Sequence, residues 1–246
     1  MDLTITALVV LIAAALLIGI AKTALPGAAT LSVAAFAAIL PARESTAALL
    51  VLLLVGDIVA IWSYRRDVDW RILARLLPTV VGGMIVGWLF LASADDPLVR
   101  RGIGAILLTL TALTLTLRRR GHLTAERALT NPWIRGVFGS LGGFTSMAAN
   151  AGGPVMTLYF VAARFDVLRF LGTQAWFFFV LNAVKLPFSI GLGLLQPSML
   201  PLLGALAPVV LAGAFAGRVW ARRIDKTLFD RVVIGLTIAS SLYLLV

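Results

Sequence analysis

The sequence predicts an all-α polytopic membrane protein built as two inverted repeats, each a broken or re-entrant helix pair followed by three transmembrane helices. Three observations lead there. The composition is too apolar for a soluble domain. Matching Gly/Pro interruptions break one apolar stretch in each half. The Lys/Arg charges of equivalent loops differ in opposite senses between the halves.

The chain has 246 residues, 61% of them hydrophobic and 13% charged. Soluble domains run at roughly 45–50% apolar and about 25% charged. So much apolar surface belongs in a bilayer, which is the first expected partner. Runs such as Ala47–Ile61, Val80–Ala92 and Gly102–Leu117 approach the ~17–25 residues of a spanning helix. They do not alternate apolar and polar residues, which disfavours a β-barrel. A formal net charge of +10 suggests nucleic acid, but the basic residues sit in short loops between apolar runs, where they set membrane orientation. No nucleic-acid partner is expected. Cysteine is absent and the single histidine, His122, lies in a polar linker. Thiolate chemistry is excluded, and no metal site or cofactor is expected. Met1-Asp2-Leu3 has no basic n-region, so no cleaved signal peptide is expected.

The elements follow in order. The first half, 1–117, opens with segments 3–21 and 28–40, separated by Gly19-Ile-Ala-Lys-Thr-Ala-Leu-Pro-Gly27. Segment 3–21 is long enough to span fully, so this pair reads either as a crossing or as a re-entrant hairpin. Spans 46–63, 76–92 and 102–117 follow. A linker, 118–132, carries Arg118, Arg119, Arg120 and Arg127. The second half, 133–246, opens with 136–149 and 154–163, separated at Asn150-Ala-Gly-Gly-Pro154. At 1.5 Å per residue the latter arm is ~15 Å long, half of a ~30 Å hydrocarbon core. A re-entrant hairpin is expected there. Spans 170–190, 202–219 and 231–246 complete the half, and the two halves together form one membrane domain.

Duplication is supported by constant spacing. Pro78, Gly83 and Gly87 recur 130 positions later as Pro208, Gly213 and Gly217, and Pro26 and Ala47 recur 128 positions later as Pro154 and Ala175. Loop 64–75 carries Arg65, Arg66, Arg71 and Arg75, while its counterpart 191–201 carries no Lys or Arg. Loop 93–101 carries Arg100 and Arg101 beside Asp95 and Asp96, while its counterpart 218–231 carries Arg218, Arg222, Arg223, Lys226 and Arg231. The positive-inside rule then places 64–75, 118–135, 164–169 and 218–231 in the cytoplasm, which inverts one repeat relative to the other.

Paired Gly/Pro breaks in corresponding segments point to the binding site of a secondary transporter. Gly27, Gly152 and Gly153 permit tight turns and close ligand approach, and Pro26 and Pro154 suit the first turn of the arm that follows. Helix starts at the two tips would attract an anion. The plainer reading is helix packing, since Gly and Pro are frequent in membrane helices. Lys22, with Thr23 beside it, lies in the first tip. An intramembrane lysine is costly and is by default a functional hypothesis, against the alternative of snorkelling to an interface. Asn150 takes the matching place in the second tip and offers uncharged amide donors. Asp57 and Lys185 are the other charges embedded in apolar runs, 128 positions apart. They read as a coupling site for protons, a charge pair, or a structural pair or cap, and Asn182 lies one turn before Lys185. Thr46, with its neighbour Ser45, resembles a helix cap. Thr173 and Gln174 are the counterparts, and Arg43 would attract anions at the outer mouth or serve as an ordinary helix-end charge. The candidate substrate-binding residues are therefore Lys22, Thr23, Pro26, Gly27, Thr46, Asn150, Gly152, Gly153, Pro154 and Gln174. The coupling or charge-pair candidates are Arg43, Asp57, Asn182 and Lys185. No catalytic set is present: HExxH, His/Cys clusters, a Ser/His/Asp set and a P-loop lysine pattern are all missing.

Gly139-Ser-Leu-Gly-Gly-Phe-Thr-Ser-Met-Ala-Ala-Asn-Ala-Gly-Gly-Pro154, Gly172-Thr-Gln-Ala-Trp176 and Asn182-Ala-Val-Lys-Leu-Pro187 resemble the TauE/SafE family of sulfite exporters and relatives. Lys22-Thr-Ala-Leu-Pro-Gly27 departs from that family's commoner glycine-rich first tip. The resemblance implies multi-pass transport in a bacterial plasma membrane, with a sulfite-like oxyanion or organosulfonate as cargo. The expected function is secondary transport of such an anion by alternating access. The alternatives are a passive anion channel and a non-transporting assembly or sensor protein; a membrane-embedded enzyme comes last. Direction, coupling ion and oligomeric state are open at this level.

Overall fold

The structure, a computed structural model, describes residues 4–93, 96–121, 123–191 and 193–245. Among the described residues the regular elements are helices: α1 (Ile5–Thr23), α2 (Ala29–Ile39), α3 (Ala42–Tyr64), α4 (Trp70–Ser93), α5 (Asp96–Arg119), α6 (Ala125–Thr130), α7 (Pro132–Ala149), α8 (Gly152–Ala162), α9 (Val167–Gly191), α10 (Leu200–Ala221) and α11 (Lys226–Leu245), with a 3₁₀ turn at Pro197–Met199. By length and composition α1, α3, α4, α9 and α10 can each cross a bilayer. The protein is an all-α polytopic membrane protein. A bilayer core offers backbone groups no water, so spanning segments satisfy their hydrogen bonds internally, as helices do.

Several helices begin four to six residues before the apolar run that announces them. α4 starts at Trp70 and takes in Arg71 and Arg75, and α7 starts at Pro132. The Asn131 side chain accepts from the Trp133 and Ile134 amides and caps α7, with proline at its first position, where its missing N–H costs nothing. The linker holds a helix that periodicity does not announce, α6, capped by Thr124 accepting from the Arg127 amide. His122, Asp95 and the side chains of Arg43, Arg100, Arg101 and Arg118 lie outside the described residues.

The chain divides into two compact units: Met1–Val68 with Leu168–Ile224, and Asp69–Val167 with Asp225–Val246. The first holds α1, α2, α3, α9 and α10; the second holds α4–α8 and α11. Each unit draws helices from both halves of the sequence.

In the first unit α1 packs along α10 and α3, with α2 folded back onto α1. Leu11, Ala15, Ile18, Phe36, Leu49, Leu52, Leu206 and Val210 are the centre of its core. Ser32 Oγ on α2 donates to the Ala14 carbonyl at 2.9 Å. Lipid is as apolar as leucine, so association inside a bilayer relies on close van der Waals packing and small residues. The α1–α10 seam is built that way. A Cβ on Gly213 would strike the Leu16 carbonyl, one on Gly217 the Ile20 backbone and Thr23 Oγ1, and one on Gly19 the Val210 carbonyl.

The second unit has a matching seam between α4 and α7. A Cβ on Gly83 would strike the Ser140 carbonyl, one on Gly87 the Phe144 carbonyl, and one on Gly143 the Val80 carbonyl. α8 is buried along almost its whole length. Its Tyr159 meets Phe138 at a tilt and Phe160 edge-on, and Phe160 stacks on Phe165, while Tyr159 donates to the Ala128 carbonyl of α6 at 3.2 Å.

Candidate functional site

Both broken segments are helix–turn–helix tips, and their second arms have the same length, 11 residues for α2 and for α8. At 1.5 Å per residue each arm is about 16 Å long, too short for a ~30 Å core. α1, at 19 residues, is long enough to cross.

The first tip is the turn 24–28. The Ala24 and Leu25 amides both donate to the Ile20 carbonyl, closing α1. Gly27 has φ +96°, a conformation open to glycine and strained for other residues. Pro26 and Gly27 are buried. Thr23 is fully buried, and its hydroxyl donates to the Ala214 carbonyl at 2.8 Å and the Gly19 carbonyl at 3.1 Å. Tyr64 donates its hydroxyl to the Thr23 carbonyl at 2.7 Å. One of the carbonyls orphaned where α1 stops is thus satisfied by a side chain.

Lys22 is in the last turn of α1, its side chain 10% exposed, with Nζ 2.6 Å from Asp57 Oδ1. Asp57 is wholly buried in the C-terminal half of α3, and its other oxygen accepts from Asn182 Nδ2 of α9 at 2.7 Å. Lys22 Nζ also lies 5.0 Å from the Phe178 ring centroid, within cation–π range. Gly56 makes room for the lysine stem: a Cβ there would stand 2.9 Å from Lys22 Cγ. Lys185, one helical turn beyond Asn182, is 7% exposed and acts electrostatically on both Lys22 and Asp57. Three helices thus converge on two lysines, one aspartate and one amide inside a membrane-spanning unit. Such charges are expensive there and mark pathways or sites.

The fold brings Lys22, Asp57 and Asn182 into direct contact and holds Lys185 within electrostatic reach. The other residues of this unit lie further off. Gln174 is 9% exposed, and its Oε1 has no hydrogen-bond partner among the described residues. It precedes Asn182 by two turns of α9, about 12 Å. Thr46 occupies an exposed position near the start of α3, about 16 Å along the axis from Asp57. The backbone of Arg43 is in α3, and its side chain lies outside the described residues.

The second tip belongs to the other unit. Asn150 ends α7 in the left-handed region, φ 51° and ψ 25°, its amide donating to the Ser146 carbonyl. Asparagine is among the few residues that visit this region routinely. Ala151 follows, and Gly152, Gly153 and Pro154 form the first turn of α8, with Gly152 and Pro154 buried. Sequence reasoning missed Phe178, Tyr64 and Gly56. Only Gly56, a glycine beside an intramembrane acid, left a signal that could have been read.

No curated protein and no solved structure gave a match. The family model described as Sulfite exporter TauE/SafE matches residues 11–244. That match covers both tips, the Lys22–Asp57–Asn182 contact and Lys185, and the chain belongs to the sulfite exporter TauE/SafE family of membrane transporters.

Proposed function

We propose that this protein is a secondary transporter of a small anion, a sulfite-like sulfur oxyanion or an organosulfonate, working by alternating access and without enzymatic activity. The observation that carries the reading is the buried cluster of Lys22, Asp57, Asn182 and Lys185 beside a broken helix tip. Basic groups held in low dielectric attract an anion far more strongly than they do in water. Broken helices are the usual frame of such sites in transporters. Lys22 supplies charge, and the first tip adds Thr23, Pro26 and Gly27. Thr46 and Gln174 are further polar groups of the same unit, and in the other unit the turn at Asn150, Gly152, Gly153 and Pro154 is a separate candidate for contact with the anion. Asp57 is the group that exchanges a coupling proton. Arg43 draws anions toward the outer mouth.

The matching glycine seams support a duplicated architecture, with repeats at 1–117 and 133–246. Gly213 meets Leu16, and Gly83, 130 positions earlier, meets Ser140, which is 124 positions after Leu16. The opposed loop charges support inversion, with the linker 118–132 cytoplasmic in a bacterial inner membrane.

Flux in proteoliposomes tests the function. Saturable movement of a sulfur-containing anion, responsive to an imposed pH or ion gradient, is expected. No flux of any such anion would refute transport, and conductance without saturation or coupling would make the protein a channel.

A further inference from the structure

In the first unit α3 and α10 pack against each other, and each carries the same order of chemistry along one face. On α3 the exposed Ile58 and Trp62 are followed by Arg65 at the helix end. On α10 the exposed Leu211 and Phe215 are followed by Arg218 and, at the helix end, by Arg222. Spacings of three and four residues put each series on one side of its helix. The two faces meet. The Trp62 and Phe215 rings lie edge to face with centroids 6.3 Å apart, and the Arg218 guanidinium lies 4.4 Å from the Trp62 centroid. The result is one amphipathic stripe shared by two helices, apolar along its length and basic where both helices stop.

Charge at that end is one-sided. Among the described residues the acids of this unit are Glu44, Asp57 and Asp67. Glu44 precedes Arg65 by about 30 Å along α3, and Asp57 is buried against Lys22 and Asn182. Asp67 lies in the turn that follows α3, where its amide donates to the Tyr64 carbonyl. Helix C-termini favour arginine in any case. That preference does not account for two helices joining their basic ends over one aromatic pair, with Trp62 still 54% exposed.

We propose that this stripe is a docking site for an anionic phospholipid, its phosphate held by Arg218, Arg222 and Arg65 and its acyl chains laid along Ile58, Trp62, Leu211 and Phe215. A soluble anion would use the arginines and leave the apolar stripe unmatched, and a lipid without net charge would do the converse. Stacking on Trp62 uses the face of the Arg218 guanidinium, while its N–H donors lie in the plane, the geometry that grips a phosphate. Basic pockets between membrane helices take anionic headgroups in the same way. Arg218 and Arg222 also act electrostatically on Tyr64, whose hydroxyl holds the Thr23 carbonyl, so the headgroup borders the first tip. The site is independent of what the protein carries.

Brominated lipids test it on the full-length protein reconstituted in phosphatidylcholine vesicles. Bromine quenches a nearby indole, and the part of the quenching that disappears in Trp62→Phe reports the stripe. At this position the native protein should prefer brominated phosphatidylglycerol over brominated phosphatidylcholine by about tenfold. Arg218→Gln and Arg222→Gln should each reduce the preference, and together they should remove about tenfold, the value of one hydrogen bond to a charged group. Arg218→Lys keeps the charge but loses the planar fork, and should retain only part of it. Arg119→Gln with Arg120→Gln removes the same charge from the other unit and should leave the preference unchanged. Equal quenching by the two lipids in the native protein would overturn the proposal, whether or not any variant folds. A loss as large in the Arg119 and Arg120 double variant would reduce the effect to diffuse attraction and overturn it too. Relief of quenching by glycerophosphate as effectively as by unbrominated phosphatidylglycerol would make the ligand a soluble phosphate, not a lipid.

Discussion

Lys22 reaches from the last turn of α1 to within 2.6 Å of Asp57 in the C-terminal half of α3. The contact joins the end of a broken helix to an unbroken one. Asn182 completes the carboxylate's shell from α9, so movement of the tip cannot be separated from movement of α3 or α9 without exposing a buried charge.

Removing one member of this contact should therefore cost more than removing both. Truncating one partner of a buried ion pair typically costs about 3–5 kcal/mol, because the other charge is left without its counter-ion. Lys22→Met and Asp57→Asn should each lower the denaturation midpoint in detergent by that order. The double variant should fall well short of the sum, with a coupling above about 1 kcal/mol. Additive losses would mean that the two side chains do not share a state in the folded protein.

The glycine seam makes a second, purely steric prediction. Gly19 faces the Val210 carbonyl and Gly213 the Leu16 carbonyl, and neither neighbour is a side chain that can turn away. Gly19→Ala should separate α1 from α10 and cost about 1–3 kcal/mol, as overpacking does. Gly204, on the same α10, has nothing within 4 Å of where its Cβ would stand. Gly204→Ala should be neutral or gain up to about 1 kcal/mol, from the entropy that glycine loses in a helix. Thermal unfolding of both variants in one detergent checks the contrast, and equal midpoints would contradict the seam.

Much of the fold was legible because bilayer physics leaves few options. The Gly/Pro punctuation marked the turns at Gly27 and Asn150, and the apolar runs marked the long spans. Helix starts were less legible, because interfacial residues such as Trp70 and Arg71 continue the helix beyond the hydrophobic stretch that periodicity detects. The three embedded charges could be listed from the sequence, but not who meets whom. The 128-position correspondence connected Asp57 with Lys185, whereas in three dimensions the nearest cation to Asp57 is Lys22, because α1 ends beside Gly56. Nothing in the pattern distinguished Phe178 from its aromatic neighbours, and hydropathy is silent on which spans associate. The pairing of α1 with α10, and of α4 with α7, appears only in the packed structure.

A pH effect is expected at the start of α11. Asp225 accepts from the Leu228 amide at 3.3 Å and the Thr227 amide at 2.8 Å, which holds its carboxyl below the usual carboxylate value. A group depressed in the folded state binds its proton more readily when unfolded, so its contribution is present above the unfolded value and is lost as pH falls through the folded one. Acidification from about pH 5 to about pH 3 should thus lower the thermal midpoint. Asp225→Asn keeps an acceptor at the cap without a titrating proton. It should remove that part of the pH dependence while lowering the midpoint only slightly at neutral pH. An unchanged pH profile in Asp225→Asn would assign the acid sensitivity to other groups.

At the second tip, backbone need and ligand role can be separated by choice of substitution. Asn150 sits at φ 51°, where a residue with a Cβ pays about 1–2 kcal/mol and glycine pays nothing. Asn150→Gly should therefore keep the turn and the thermal midpoint, while Asn150→Ala should lose about 1 kcal/mol. Both variants delete the side-chain amide. If that amide offers its donors to the anion, both should weaken anion binding by about tenfold, the value of one hydrogen bond to a charged group. The diagnostic result is Asn150→Gly with native stability and weakened binding. Native binding in Asn150→Gly, with a loss confined to Asn150→Ala, would reduce the residue to a helix terminator and leave the charge cluster around Lys22 as the sole source of affinity.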